Sequence, residues 1–158
     1  MKYLKSFNES NIIENDEYYC DTVLMYHTTT RENLEKIKSD GKLIPTDHMQ
    51  AGILYKNRLH MTNDPDAHIY MILDICHERG GYFNKNNLYT FTINYPCRWP
   101  KDGDFYKIEY KDLKSDNNAG YDGYNFYTDK EIPLSIVSDI SSFKDFYIKN
   151  RNPNNELY

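Results

Sequence analysis

Two histidines stand in matching polar surroundings, His27 within the sequence YHTT and His60 within LHMT. A neutral imidazole both donates and accepts hydrogen bonds, so it suits a ribose hydroxyl or a polarised leaving group. Each histidine precedes a predicted helix, and the unpaired N–H groups at a helix start favour a pyrophosphate. The pair therefore predicts a cleft for a dinucleotide. Either histidine alone is also compatible with a purely structural place at a strand end.

The first histidine lies between a predicted strand and a predicted helix. Residues 22–27 form an apolar, β-branched run that is typical of a buried strand. Thr29 and Glu32 have the spacing of a capping box, which predicts that the helix begins there. Gly41 predicts the end of that helix, because glycine readily adopts the left-handed conformation found at helix C-termini.

The second histidine lies in a shorter unit of the same kind. Residues 42–56 are predicted to form a surface loop, and residues 57–62 a second strand. Asn63 or Asp64 is expected to cap a second helix that has Pro65 in its first turn. The apolar stripe and the end of this helix are predicted at Ala67, Tyr70, Met71, Ile75, Gly80 and Gly81.

Further strands are predicted after the second helix. Residues 88–93 alternate between polar and apolar, which indicates a strand with one buried face. Strands are also expected at residues 105–110, 124–128 and 134–137, with a turn-rich loop over residues 116–123. Two main helices among these strands predict an α+β fold.

The composition is that of a folded domain of ordinary size. The chain has 158 residues, of which 39% are hydrophobic and 27% charged, and its formal net charge is −5. These values exclude a membrane protein and a disordered chain, and the acidic balance argues against broad binding to nucleic acid. Sixteen tyrosines favour a sheet with an aromatic-lined cleft. We expect a polar arm over residues 1–20, one domain over 21–149 and a flexible tail over 150–158.

Cysteine usage and the start of the chain bear on the cellular location. Three cysteines at irregular spacing predict neither a disulfide framework nor a metal clip. The start does not resemble a signal peptide, and no segment has the roughly 18 apolar residues of a membrane span. We therefore expect a cytoplasmic protein without a membrane partner. The opening MKYLKSFNES resembles the start of tailed-phage proteins, which would place the protein in the host cytoplasm.

The order of these motifs resembles the ADP-ribosyltransferase fold. More narrowly, it is similar to the NAD-binding lobe of tRNA 2′-phosphotransferases, which have a histidine strand, a helix ending before Gly-Leu, and a second histidine strand. The resemblance spans roughly residues 22–140, most of the chain, and rests on short matching segments at 24–29, 41–45, 58–62, 63–67, 77–80, 124–128 and 132–136. The resemblance implies a split mixed or antiparallel sheet with two main helices, and NAD as substrate.

The resemblance also implies a role for individual residues. His27 would hydrogen-bond a ribose hydroxyl of NAD, with Thr28 and Thr29 beside the nicotinamide amide. His60 occupies the position of a stacking tyrosine in the poly(ADP-ribose) polymerase branch and of a histidine in the phosphotransferase branch. Tyr70 would form an aromatic wall for nicotinamide. A basic residue of the second strand, Lys56 or Arg58, would neutralise phosphate.

Three departures from the family limit what the resemblance implies. Thr28 stands where the family has glycine, and the first twenty residues contain no arginine or histidine to match the phosphotransferases' extra lobe. Removal of a 2′-phosphate from tRNA is therefore not expected. The family's catalytic glutamate falls near Asn125, and Glu131 is the nearest glutamate, with Asp122 and Asp129 as other carboxylates on the same segment. Glu131 is the candidate unless it is an exposed turn residue. The implied activity is mono-ADP-ribosylation of a cytosolic protein or nucleic acid.

Two other functions remain open at this point. The two His-x-Thr motifs also satisfy the pattern of two-histidine phosphoesterases, which cleave cyclic or 2′,3′-linked phosphates. Their separation of 33 residues (60 − 27) is short for that fold. A catalytically degenerate transferase that only binds a nucleotide is the other possibility, favoured by Asn125. A metal site is not expected, because adjacent Cys76 and His77 on a helix do not point at one ion.

Overall fold

The computed structural model describes residues 17–50, 53–79, 84–115 and 125–151. The fold is a mixture of helices and a curled antiparallel sheet, which confirms the predicted α+β class. The strands are β1 (Tyr18–Thr30), β2 (Lys42–Leu43), β3 (Thr46–Gln50), β4 (Ile53–Thr62), β5 (Leu88–Pro100), β6 (Glu109–Tyr110), β7 (Lys114–Ser115), β8 (Asn125–Thr128), β9 (Ile132–Pro133) and β10 (Val137–Ser142). The helices are α1 (Arg31–Asp40), α2 (Pro65–Arg79) and α3 (Phe143–Asn150).

The sheet is built around one long antiparallel pair. β1 and β5 stay in register from Tyr18 opposite Pro100 to Thr30 opposite Leu88. The main sheet has the order β10-β5-β1-β4-β8-β7, with β3 added to β4 and β6 to β5, and β2 pairs with β9 separately. The strands predicted at residues 22–27 and 88–93 are confirmed, but both are longer than their apolar runs. Pairing between the two strands supplies backbone hydrogen bonds that carry each strand through its polar residues.

Helix α1 begins one residue later than the predicted capping box. The hydroxyl of Thr30, not of Thr29, accepts the N–H of Asn33 at 3.4 Å. The Thr29 hydroxyl instead accepts the side-chain amide of Asn33 at 3.0 Å. Gly41 ends the helix with φ of 74°, as predicted. This cap fixes the turn at which the chain leaves β1 beside the predicted site.

Helix α2 begins as predicted but buries a different face. The Asp64 carboxylate accepts the N–H of Ala67 at 3.0 Å, and Pro65 is the first helical residue. The predicted apolar stripe is wrong at Tyr70, which is 40% exposed. The buried positions of the helix are His68, Ile69, Met71 and Ile72. The sequence pattern misplaces the face because it takes no account of His68, whose ring is buried against Tyr26, Thr28 and Phe146.

The predicted loop over residues 42–56 is wrong, since β2, β3 and the first part of β4 lie there. β3 is an edge strand of mixed polarity, so it lacks the alternation by which strands are recognised. Thr46 pairs with Arg58 and His48 with Tyr55. Between these two pairs, β4 has one more residue than β3. Asn57 is the extra residue, with φ of 51°, and its N–H is accepted by the Asp47 carboxylate at 2.8 Å. This β-bulge turns Tyr55 and Arg58 to the same face of the hairpin.

The remaining elements differ from the predictions in detail. The predicted strand at 105–110 is strand only at Glu109–Tyr110, after a 3₁₀ turn at Phe105–Lys107. Another 3₁₀ turn, Leu134–Ile136, replaces most of the strand predicted at 134–137. α3 was not predicted, and β1 begins at Tyr18, inside the predicted arm. The loop at 116–123, Gly80–Gly81 and most of the arm and tail lie outside the described residues.

Two apolar cores lie on opposite faces of the sheet. One contains Met25, Leu59, Met61, Phe91 and Ile93 from the sheet, with Leu34 of α1. The other packs α2 and α3 against Tyr26 and Leu88. Within the described residues, every helix is too short or too polar to span a lipid bilayer.

The bulge at Asn57 generates the first prediction. Replacing Asn57 with Val should lower the free energy of unfolding by about 1–3 kcal/mol, because β-branched residues are strained at positive φ. Asn57→Gly is the matched control and should cost less than about 1 kcal/mol, since glycine adopts this conformation freely. Chemical denaturation of both variants measures the difference. Equal stability of the two variants would contradict the strained geometry.

Candidate functional site

The candidate site opens where β1 and β4 separate. The two strands pair at Tyr26 and Thr62, and β1 then continues along β5 alone. Beyond the last pair, the His27 imidazole crosses the gap, with Nδ1 2.7 Å from the carbonyl oxygen of His60. A side chain thus takes the place of a backbone donor between the two strands.

A cavity of about 310 Å³ lies at this separation. That volume is at the low end of the range for small-molecule sites, about 300–1,000 Å³. Four of the five histidines in the chain line it, namely His27, His48, His60 and His68. The cavity reaches α1 and β2 on one side and α2 on the other, so it is bounded by both helices that follow the histidine strands.

Hydrogen bonding fixes the tautomer of His27. A carbonyl oxygen only accepts, so Nδ1 carries the proton and donates it to His60. Burial lowers the pKa of His27 from its ordinary value, the His60 carbonyl opposes that shift, and nearby His48 lowers the pKa further. A neutral ring with its proton on Nδ1 leaves Nε2 as an acceptor. His27 therefore suits a hydroxyl group that donates a hydrogen bond.

His68 is a site residue that the sequence analysis missed. Its Nε2 lies 2.6 Å from the Thr28 hydroxyl, which in turn lies 2.8 Å from the hydroxyl of Thr90. Burial, with a smaller contribution from nearby His27, lowers the pKa of His68 to about 3. His68 therefore stays neutral at physiological pH. Its spacing to Met71, Ile72 and Ile75, all of which line the cavity, is the helical signal that could have identified it.

The ring of His60 lies in an aromatic cluster on β3, β4 and β8. Ring centroids of His48, Tyr55 and Tyr127 are 5.0, 5.1 and 6.0 Å from that of His60. The Arg58 guanidinium stacks 3.9 Å from the centre of the Tyr127 ring and 5.1 Å from that of Tyr55. The bulge at Asn57 makes this cluster possible, because it brings Tyr55 to the face of Arg58 and His60.

The cavity is locally basic in an acidic chain. Lys36, Lys42 and Arg58 line it, and Asp40 is the one carboxylate residue among its described lining residues. With Glu131, which forms an ion pair with Lys42 at the rim, the site has three cations against two carboxylates. This excess favours an anionic ligand, although the whole chain has a formal net charge of −5. Arginine and lysine together provide the donors that phosphate oxygens prefer.

The structure brings together most, but not all, of the residues predicted for the site. Besides both histidines, the cavity wall includes Thr28, Thr29 and Arg58. Tyr70 is exposed on α2 and is not among the described lining residues. Glu131 also stands outside the lining, with a 52% exposed side chain.

Glu131 and Asn125, the residue at the position expected for the family's glutamate, occupy different environments. Glu131 forms an ion pair of 2.9 Å with Lys42, which itself lines the cavity. Asn125 is buried opposite Thr62 in the β4–β8 pair and does not belong to the described lining. Glu131 is thus connected to the rim of the cavity through a lysine, and Asn125 is separated from it by β4.

Neither the placement of possible metal ligands nor comparison with known proteins assigns a function to the cavity. Among residues 17–50, 53–79, 84–115 and 125–151, no group of three His, Cys, Asp or Glu side chains is placed to hold a metal ion. No protein-family model, curated protein or solved structure matches the chain.

The low pKa of His68 predicts a pH dependence of stability. Between about pH 6.5, the pKa of an unfolded histidine, and the folded-state value of about 3, the unfolded chain binds a proton that folded His68 does not. The free energy of unfolding should therefore fall as the pH falls, by up to about 1.4 kcal/mol per pH unit from this residue. Denaturation between pH 7 and pH 4 measures it.

The matched variants are His68→Leu and Met71→Leu. The first removes the titrating group and should flatten the pH dependence, whereas the second changes the packing of the same helix face and should preserve it. An unchanged pH dependence in His68→Leu would show that this ring is not buried in the neutral form.

Proposed function

We propose that the cavity binds NAD as substrate, and that the chain is an ADP-ribosyltransferase-like enzyme acting on a cytosolic macromolecule. The observation that carries the proposal is that His27 and His60 line one cavity together with three cationic side chains. Both histidines come from strands that precede a helix, in the order that the resemblance requires. The parting of β1 from β4 is what a split ADP-ribosyltransferase-like sheet would provide.

The cationic side chains would bind the pyrophosphate of NAD. Arg58 is held in place by stacking on Tyr127 and Tyr55, so little side-chain entropy is lost when it binds phosphate. Lys36 and Lys42 approach from α1 and β2. A ligand with two negative phosphates would thus be bound by side chains from β4 as well as from α1 and β2.

His27 would bind the ribose next to nicotinamide. Its Nε2 is an acceptor for a ribose hydroxyl, which orients the sugar and adds electron density as positive charge develops. The bond from C1″ of the ribose to nicotinamide breaks, and the electron pair leaves with nicotinamide. An acceptor hydroxyl, amine or carboxylate then forms a new bond to C1″ and releases any proton it carried to solvent.

The proposal assigns the stabilising carboxylate to Glu131. Its ion pair with Lys42 holds it at the rim, and a phosphate that engages Lys42 would free the carboxylate to approach the ribose. A carboxylate close to the developing oxocarbenium ion lowers the barrier by direct charge attraction.

Nucleotide binding without transfer is the second candidate function. It is favoured because Asp40 is the one carboxylate residue in the described part of the cavity wall. The phosphoesterase alternative receives less support, since the Thr62 hydroxyl that it requires is fully buried and does not belong to the described lining. The transferase and the binding module would both take an anionic nucleotide as ligand.

NAD binding measured by isothermal titration calorimetry tests the proposal. His27→Ala should weaken binding about tenfold, because a buried acceptor for the ribose is lost. Arg58→Ala should weaken it at least as much and make the affinity less dependent on salt. His77→Ala is the matched control, since His77 is an exposed histidine on α2 outside the cavity lining. Equal affinities of all four proteins would contradict the placement.

Release of nicotinamide from labelled NAD in a whole-cell extract distinguishes transfer from binding. Glu131→Gln should slow release by about 10²-fold or more if its charge stabilises the transition state. Glu109→Gln is the control, because Glu109 is an equally exposed glutamate, paired with Arg98. Label on a macromolecule identifies the acceptor class. Tight NAD binding with no release in any extract would favour the binding module.

A further inference from the structure

The buried wall of the cavity contains a hydrogen-bonding group that the proposed roles leave unused. The Nδ1 atom of His68 has no hydrogen-bond partner among the described residues, and the side chain is 1% exposed. A buried polar atom without a partner costs free energy, so such an atom in a folded protein indicates that a water or ligand binds there. His68 lines the cavity, and its ring packs against Tyr26 and Phe146. A ligand that enters the cavity and shifts this packing would provide that partner.

We propose that His68 anchors a head-group subsite, in which Nδ1 hydrogen-bonds an uncharged carboxamide, the nicotinamide amide in the case of NAD. The inference rests on the proposed function, because the cationic part of the cavity must hold the rest of the same ligand. It differs from the resemblance-based expectation, which placed nicotinamide against Tyr70. The present proposal places the nicotinamide head group against α2, at His68, a residue that is 1% exposed.

The chemistry of the subsite favours a neutral group. His68 is neutral at physiological pH and therefore brings no charge to balance a carboxylate or a phosphate. Its neighbours in the cavity wall on α2 are apolar, namely Met71, Ile72 and Ile75. An ionised group would lose its hydration there without compensation, whereas a flat amide-bearing ring would bury apolar surface.

The hydrogen-bonded hydroxyls of Thr28 and Thr90 allow His68 Nδ1 either to donate to the oxygen of an amide or to accept from its nitrogen. If Thr28 donates to Nε2, then Nδ1 carries the proton and donates to the amide oxygen. If Nε2 donates to Thr28, and Thr28 to Thr90, then Nδ1 accepts from the amide nitrogen. A carboxamide has both an acceptor oxygen and a donor nitrogen, so it can hydrogen-bond Nδ1 in either arrangement of the hydroxyl hydrogens.

The difference in burial between the two walls of the cavity indicates which part of the ligand would lie deepest. His68 and Ile72 are buried, whereas Lys36 and Asp40 on the opposite wall are exposed. A cavity of about 310 Å³ is at the small end of the range for whole ligands, so it suits a head group with its ribose. The head group would thus enter first, with the phosphates held at the exposed cationic side.

Calorimetry with two matched ligands tests the subsite. ADP-ribose has the phosphates and both riboses of NAD but lacks the nicotinamide group. His68→Leu should weaken NAD binding about fivefold to tenfold, the effect of one lost buried hydrogen bond, and leave ADP-ribose binding unchanged. His77→Leu, on the exposed side of α2, should change neither affinity. Unchanged ADP-ribose affinity also shows that the variant is folded.

Nitrogen-15 NMR of the His68 ring in the wild-type protein decides the matter without a variant. The Nδ1 resonance should shift when NAD is added and should not shift with ADP-ribose. Loss of both affinities by the same factor in a folded His68→Leu, or an Nδ1 resonance unmoved by NAD, would overturn the subsite but not the nucleotide site. Failure of the wild-type protein to bind either ligand would overturn the proposed function and the subsite together.

Discussion

The site depends on the hydrogen bond from His27 Nδ1 to the His60 carbonyl. β1 and β4 are neighbours in the sheet, and continued backbone pairing would close the space between them. The imidazole spans 2.7 Å to the carbonyl and satisfies it while keeping the strands apart. The same bond leaves Nε2 as an acceptor. One interaction therefore both separates the strands at the cavity and sets the chemistry of the His27 ring that lines it.

The elements around this bond each orient a different part of the cavity wall. The Thr30 cap and Gly41 fix the two ends of α1, which contributes Lys36. The Asp64 cap fixes the start of α2, one turn before His68. The bulge at Asn57 aims Tyr55 and Arg58 together. These are local backbone features, and together they place a cationic side opposite an apolar, histidine-bearing side.

The sequence predicted the parts of the fold that follow local rules. The strand over residues 22–27, the stop at Gly41 and the Asp64–Pro65 helix start depend on residues close in the chain, and the structure has them. Strand ends, β3 and the bulge depend on pairing partners that a single sequence does not reveal. His48 was missed because it lies on β3, whose pairing with β4 a single sequence does not reveal. His68 was recognisable by its helical spacing to Met71, Ile72 and Ile75, but its burial depends on contacts with β1 and α3.

The tautomer of His27 tests the central claim most directly. Long-range nitrogen-15 NMR of the imidazole distinguishes a protonated Nδ1 from a protonated Nε2. The account predicts a neutral ring at pH 7 with the proton on Nδ1 and a bare Nε2. A neutral ring with its proton on Nε2 would contradict it, because Nδ1 could then not donate to the His60 carbonyl. A charged imidazolium would contradict it as well, because Nε2 would then not be an acceptor.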